Sequence, residues 1–279
     1  MSAQAEIPSS QQRPKALAVI PARLASTRLP RKMLLSETGS CLFVHTARNA
    51  ERSGAFERVI VATDCDEVQA AAEEAGLAAI PTNPECPSGT DRVHEALTAA
   101  GGDYEVVVGV QGDEPELTPE DLERLVDSFN DETVSVATLA APIEDERALN
   151  ASSVVKVVLN SSSDALYFSR AAIPDRSHAR ADATPNTTRN LGLRHVGVYA
   201  WRPAALARFR GLKATEAERA ENLEQLRWLE NGGRMRVLVI DRAPHGVDTH
   251  EDYEAFVERW QSANKDVTTH TTQSQRAST

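Results

Sequence analysis

The run Val19-Ile20-Pro21-Ala22-Arg23-Leu24-Ala25-Ser26-Thr27-Arg28-Leu29-Pro30-Arg31-Lys32 carries the densest chemistry in this chain. Residues 13–32 contain six cations and no acid, although the 279-residue chain has a formal net charge of -11. A local reversal of sign makes a site for a polyanion. Arg23 and Arg28 can grip phosphate oxygens with forked, charge-assisted hydrogen bonds, and Lys32 adds a compact positive charge. Ser26 and Thr27 add hydroxyl donors. A triphosphate fits this loop, and a solvated basic loop after a buried strand is the plainer alternative.

A second group of candidates follows the apolar segment 104–110, in Gln111-Gly112-Asp113-Glu114-Pro115. In open α/β sheets, ligands bind beyond the carboxyl ends of the strands. Gly112 permits close backbone approach, so Asp113 can hold Mg²⁺ against a triphosphate, or simply close a turn. Magnesium usually takes one or two protein carboxylates, with phosphates and water completing its shell. Ser88-Gly89-Thr90-Asp91-Arg92 opens a helix, with Ser88 as cap and Asp91 three residues later. Gly89 leaves backbone groups accessible to a base edge, and Arg92 either touches a phosphate or holds the loop. His195 and Tyr199 are four apart on a strand and share one face.

These residues need a frame. Arg58–Thr63 reads as a strand, followed by Asp64 and Glu67 at capping-box spacing and by Val68, Ala71, Ala72 and Ala75 at helical spacing. The segment 104–110, apolar on both faces, predicts a central strand. Thr118-Pro119 opens a helix with the stripe Leu122, Leu125, Val126 and Phe129. Further strands are predicted over 133–140, 154–159, 195–201 and 235–240, and one helix over 215–230. Residues 176–189 read as an irregular loop. Tyr253, Phe256, Val257 and Trp260 mark a final amphipathic helix capped by Thr249. The alternation predicts an α/β class: three layers, a mostly parallel twisted sheet with helices on both faces. Residues 1–13 and 263–279 read as disordered tails around a single domain over 14–262.

Composition removes other classes. At 41% hydrophobic residues the chain can build a sizeable core. Its acidic balance argues against a general nucleic-acid or membrane-surface binder, each of which needs a broad basic face. Cys41, Cys65 and Cys86 are too few and too far apart for a disulfide framework or a zinc site, and read as reduced thiols. Residues 1–14 lack a signal-peptide apolar stretch, and no run approaches the ~18 apolar residues of a membrane span. The expectation is a cytoplasmic protein without membrane insertion. No Gly-x-Gly-x-x-Gly follows the first strand, which argues against a nicotinamide dehydrogenase.

Pro21-Ala22-Arg23, Ser26-Thr27-Arg28-Leu29-Pro30 and Lys32 resemble the signature loop of the sugar-acid cytidylyltransferases. Ser88-Gly89-Thr90-Asp91-Arg92, Gln111-Gly112-Asp113-Glu114-Pro115, Tyr167-Phe168-Ser169-Arg170, Leu223-Glu224-Gln225-Leu226-Arg227 and Gly246-Val247-Asp248-Thr249 follow in that family's order. The resemblance covers residues 15–262 and points to the members that act on 3-deoxy-manno-octulosonate (Kdo). It implies a nucleotide-diphosphosugar-transferase-like fold with a smaller sugar-binding and dimerisation subregion, a homodimer, Mg²⁺ as cofactor, and CTP and Kdo as substrates. The implied reaction is in-line attack of the anomeric hydroxyl on the α-phosphorus, giving CMP-Kdo for lipopolysaccharide and pyrophosphate. Pro21, Ala22, Arg23, Ser26, Arg28, Lys32, Ser88, Gly89, Arg92 and Asp113 are the implied nucleotide site. Arg23, Arg28, Lys32 and Asp113 are its catalytic members. Gln111, Arg170, His195, Tyr199, Glu224 and Gln225 are the implied sugar-acid site, and Asp113 with Asp248 the implied metal pair. The sequence departs from the family pattern after Ile173-Pro174, where an aromatic residue is common, and at Val196, where leucine is common. Two alternatives stay open: the same chemistry on another sugar acid (8-amino-Kdo or a sialic-acid-like sugar), or a non-catalytic nucleotide-binding protein.

Overall fold

Strand β1 (Ala16–Pro21) is buried along its whole length because its alternate residues face two different cores. Ala16, Ala18 and Ile20 join one apolar cluster, Leu17 and Val19 another. That period-2 split belongs to a strand covered on both faces. The structure, a computed structural model, describes residues 13–24, 26, 28–175, 178 and 191–276, with residues 265–276 as backbone only. Residues 1–12, Ala25, Thr27, 176–177, 179–190 (most of the loop expected at 176–189) and 277–279 lie outside the described residues.

The sheet runs in the order β3 (Ala78–Pro81), β2 (Arg58–Thr63), β1, β4 (Val106–Gly109), β8 (Leu193–Trp201), β5 (Val136–Pro142), β9 (Arg236–Val239). Parallel pairs join β3 to β2, β2 to β1, β1 to β4, and β5 to β9. Strand β8 is antiparallel to both β4 and β5. Strands β6 (Lys156–Leu159) and β7 (Ala165–Ser169) form an antiparallel pair attached to β8 through β6. One core takes Phe43 and Ala47 from α1 (Leu42–Arg52), Val68 and Ala72 from α2 (Asp66–Glu74), and Leu122 and Leu125 from α4 (Pro119–Asp127). The opposite core takes Val93 and Ala96 from α3 (Gly89–Ala100), Leu206 and Phe209 from α6 (Pro203–Gly211), and Leu226 and Trp228 from α8 (Gln225–Glu230). This is the expected three-layer α/β class with a mostly parallel sheet. Burying each such Leu or Phe contributes about 1.5–3 kcal/mol.

Three local readings are corrected. Helix α2 is capped by Cys65 without a side-chain bond, because the Asp64 carboxylate is taken by Arg92 at 2.7 Å. The single helix expected over 215–230 is two, α7 (Glu216–Glu221) and α8. Between them Asn222 turns left-handed at φ 53°, a conformation asparagine tolerates better than most residues. The last helix, α9 (His250–Arg276), is helical well beyond residue 262. A short helix, α5 (Glu146–Asn150), lies on the path from β5 to β6.

Beneath the active face, Arg92 is fully buried, giving hydrogen bonds to Asp64 and the Thr82 hydroxyl. Removing one partner of a buried pair leaves an uncompensated charge. Asp64→Ala is therefore expected to lower the unfolding free energy by about 3–5 kcal/mol in urea denaturation. A loss of under ~1 kcal/mol, the worth of an exposed pair, would show that the pair carries no structural load.

Candidate active site

The loops after β1 and β4 emerge side by side because the strands pair in register, Val19 opposite Gly109. Val110 N donates to the Val19 carbonyl at 3.0 Å and extends that pairing into the second loop. Gly112 then runs so close to the first loop that a Cβ would sit 3.1 Å from the Pro21 carbonyl oxygen and 3.3 Å from Phe43. The Thr46 hydroxyl pins the Gly112 carbonyl at 3.1 Å. In the first loop, Arg31 adopts φ 59° and ψ 21°, a left-handed turn that sends Lys32 inward.

Lys32 is the centre of the site. Its ammonium, on a side chain only 9% exposed, donates to Asp113 Oδ2 at 2.5 Å, Asp248 Oδ1 at 3.0 Å and the Val247 carbonyl at 3.0 Å. Burial lowers its pKa, but Asp113 and then Asp248 outweigh burial and hold it above its ordinary value. Arg28 reaches the other Asp248 oxygen at 3.0 Å. The loop bearing Asp248 is fixed in turn: Val247 N donates to the Asp113 carbonyl at 2.9 Å. Thr249 Oγ1 caps α9 by accepting from Asp252 N at 3.2 Å. Leu29, Leu42, Val247, Tyr253 and Phe256 form a small apolar cluster that clamps this corner.

The other implied nucleotide residues surround this centre unevenly. Pro21 and Ala22 are buried, and Ala22 N donates to the Ala62 carbonyl at 2.9 Å, so they shape the loop. Arg23 donates to the Cys86 carbonyl at 2.8 Å, tying the loop to the segment before α3. Ser26 Oγ accepts from Leu29 N at 3.3 Å. Ser88 caps α3 as expected, accepting from Asp91 N at 3.2 Å. A Cβ on Gly89 would lie 3.2 Å from the Gln111 amide nitrogen, so glycine lets Gln111 fold over the start of α3. Arg92 is turned inward, onto Asp64 and the Thr82 hydroxyl.

Of the implied sugar-acid residues, His195 and Tyr199 lie on β8. His195 Nε2 lies 2.8 Å from the Thr138 hydroxyl, and its ring meets Phe168 at 4.9 Å and Tyr199 at 5.3 Å. Burial pushes the His195 pKa down to about 3 and the Tyr199 pKa well up. The break at Asn222 brings Glu224 to the start of α8, where it accepts from the Thr90 hydroxyl. Burial raises the Glu224 pKa, and hydrogen bonds from Thr90 and Ser88 partly offset this. Gln225 is buried beside it. Arg170 spends its guanidinium on the Glu221, Ser152 and Asn222 carbonyls, at 2.8, 3.1 and 3.4 Å. It anchors the helix break. The buried Lys156 ammonium donates to the Ala151 and Val154 carbonyls, at 2.9 and 2.7 Å, and to the Arg170 carbonyl.

Glu114, beside Asp113 in the Gln111–Pro115 run, is a further titratable member of this corner. Its Oε2 is buried without a partner. Burial first, and then Asp113, push its pKa up to about 8. Its position next to Asp113, after a buried strand, was the available signal. Thr138, which meets His195, gave no signal in one dimension. For a metal, the donor set fits magnesium: two carboxylates from separate loops meet at one point, leaving phosphate and water to complete the shell. Among the described residues no cluster of three or more His, Cys, Asp or Glu side chains suits a metal.

A mixed sheet with three loops at its carboxyl edge, converging on a lysine and two aspartates, defines a nucleotidyltransferase-like α/β enzyme. The Cytidylyltransferase family model matches residues 17–238, and the chain belongs to the cytidylyltransferase family. A 3-deoxy-manno-octulosonate cytidylyltransferase of Nitratidesulfovibrio vulgaris (strain DP4) is 44% identical over 240 residues, covering 86% of this chain and 93% of the relative. One from Acidobacterium capsulatum is 44% identical over 241 residues, covering 86% and 94%. A solved CMP:2-keto-3-deoxy-manno-octonic acid synthetase complexed with CTP superposes with a TM-score of 0.82 at 36% identity, covering 89% of this chain and 99% of that one.

Glu114 generates a pH dependence. The folded protein keeps its carboxyl protonated up to about 8, whereas the unfolded chain ionises near the ordinary 4.5. The folded state then binds more protons, so stability falls as pH rises through that window and levels off above it. Glu114→Gln lacks this penalty. Its melting temperature relative to the wild type should climb between pH 5 and pH 8 in thermal unfolding, and a difference constant with pH would contradict the assignment.

Proposed function

We propose that this enzyme joins CTP to Kdo, giving CMP-Kdo and pyrophosphate, with Mg²⁺ held by Asp113 and Asp248. The observation that carries the reading is the convergence of Lys32, Arg28, Asp113 and Asp248 at the carboxyl edge of the sheet. The relatives named for Kdo activation match along nearly their whole length, which supports the sugar assignment.

Arg23, Arg28 and Lys32 neutralise the triphosphate and the departing pyrophosphate, and Ser26 orders the loop that carries them. Lys32 pairs with two carboxylates in the free protein, so an entering polyanion competes for a charge already fixed in place. Ser88, Gly89 and Gln111 border the helix start where the base and sugar meet. His195, Tyr199, Glu224 and Gln225 present hydrogen-bonding groups to sugar hydroxyls, while Arg170 and Lys156 hold the turn that positions Glu224. When bound, Mg²⁺ supplies Lewis-acid stabilisation of phosphoryl charge. Positioning and charge neutralisation supply most of the catalysis, with no covalent enzyme intermediate.

The same reading carries a homodimer, a cytoplasmic setting and a role in lipopolysaccharide supply. Among the described strands β7 pairs with β6, and it exposes Leu166 and Tyr167, apolar side chains suited to a second copy. The three free cysteines suit a reducing compartment. No described helix is long and apolar enough to cross a membrane.

The test is pyrophosphate release from CTP, with Kdo and Mg²⁺ supplied or withheld. The expected result is release that needs both. Release with another sugar acid but none with Kdo would overturn the substrate. Silence with every acid, from protein that still binds CTP, would overturn the activity.

A further inference from the structure

Where β5 meets β8 the ladder slips. Thr138 lies opposite Tyr199, but the next residue, Leu139, lies opposite Val196. Gly197 and Val198 have no counterpart on β5, which makes a bulge, a device that re-aims side chains beside active sites. The Thr138 hydroxyl answers the carbonyls the slip leaves behind, at 2.7 Å from the Val198 oxygen and 3.3 Å from the Val196 oxygen. The same hydroxyl oxygen lies 2.8 Å from His195 Nε2.

A threonine hydroxyl has one proton to give, and a carbonyl can only accept. Thr138 is sealed from solvent. The short contact with the Val198 carbonyl requires the proton, since two bare oxygens at that distance repel. Thr138 Oγ1 then has only lone pairs for the imidazole, so His195 Nε2 is the donor. The ring nitrogen left for a ligand is Nδ1, without a proton. Phe168 and Tyr199 fix the plane of the ring.

We propose that Thr138 is a positioning residue that locks His195 in its Nε2–H form, so that Nδ1 accepts a hydrogen bond from a hydroxyl of the sugar acid. This rests on the proposed sugar-side role of His195 and gives that role a polarity. His195 recognises a hydrogen donor on the sugar and leaves the sugar carboxylate to other groups. The burial that keeps the ring neutral agrees, because an imidazolium able to pair with a carboxylate does not form. A fixed, half-buried acceptor of this kind discriminates against sugars that lack the matching hydroxyl, because the acceptor is then left unpaired.

The experiment is nitrogen NMR of the enzyme labelled in its histidine rings, with the His195 signals assigned by their loss in His195→Asn. The wild type should carry its proton on Nε2. Saturating Kdo should shift the Nδ1 signal in the direction of an accepted hydrogen bond while Nε2 stays protonated. A proton on Nδ1 in the free enzyme, or an Nδ1 signal indifferent to bound Kdo, would overturn the proposal. Thr138→Val should redistribute the proton between the nitrogens and raise the KM for Kdo roughly tenfold, the worth of one hydrogen bond, with the KM for CTP unmoved. Thr138→Ser should restore both. An unaltered Kdo KM in a folded Thr138→Val enzyme would overturn the recognition role, and the wild-type spectra decide the tautomer even if that variant does not fold. A wild type inert towards Kdo but active on another acid would overturn the Kdo assignment separately, since the tautomer is read without substrate.

Discussion

One ammonium group holds the active centre together. Lys32 Nζ joins a loop after β1 to Asp113 after β4 and to Asp248 before α9, and it also takes the Val247 carbonyl. Without it, two carboxylates would face each other in a half-buried corner, where like charges are costly. With it, three segments far apart in the chain share one charge centre. Much of the neighbouring structure serves this contact. The close approach at Gly112, the left-handed Arg31 and the apolar clamp around Val247 each bring one member to the ammonium.

A second network orders the sugar side by different physics. It relies on hydrogen bonds to carbonyls and hydroxyls, with Arg170, Lys156 and Glu221 as its anchors. The left-handed Asn222 ends α7 and lets Glu224 turn towards Thr90. Glu221 accepts from the Ser169 hydroxyl at 2.6 Å and from Arg170 N at 2.9 Å, fastening that break to β7. The bulge in β8 sets His195 against Thr138. The two networks touch where Gln111, in the loop that carries Asp113, lies over Gly89 at the start of α3. On the proposed reading, this contact sets the residues assigned to phosphates beside those assigned to sugar hydroxyls, as a transfer between a nucleotide and a sugar requires.

The class of fold was legible because the strands are apolar on both faces and the helices carry clear stripes, and β1 and α4 follow those patterns closely. The loops after β1 and β4 were legible because unusual residue types sit at strand ends. Pairing Asp248 with Asp113 was not legible from spacing, since only folding brings them together, and it came from resemblance. The break at Asn222 was hidden because residues 215–230 are good helix formers, and the tertiary anchor from Arg170 overrides their local preference. Asp64 was misread as a cap for a similar reason: a buried guanidinium outbids a helix terminus for its carboxylate. Thr138 gave no sign of its role, because a hydroxyl's partners depend on a bulge that a strand pattern does not reveal.

The central claim is that Asp113 and Asp248 act as one unit around Lys32. The direct measurement is a double-substitution cycle on pyrophosphate release, comparing kcat/KM for the wild type, Asp113→Asn, Asp248→Asn and the double variant. Residues that work as a unit are strongly non-additive. The account predicts that either single substitution removes most of the activity and that the second adds little. Losses that simply multiply would mean that the two carboxylates act independently, and would contradict it.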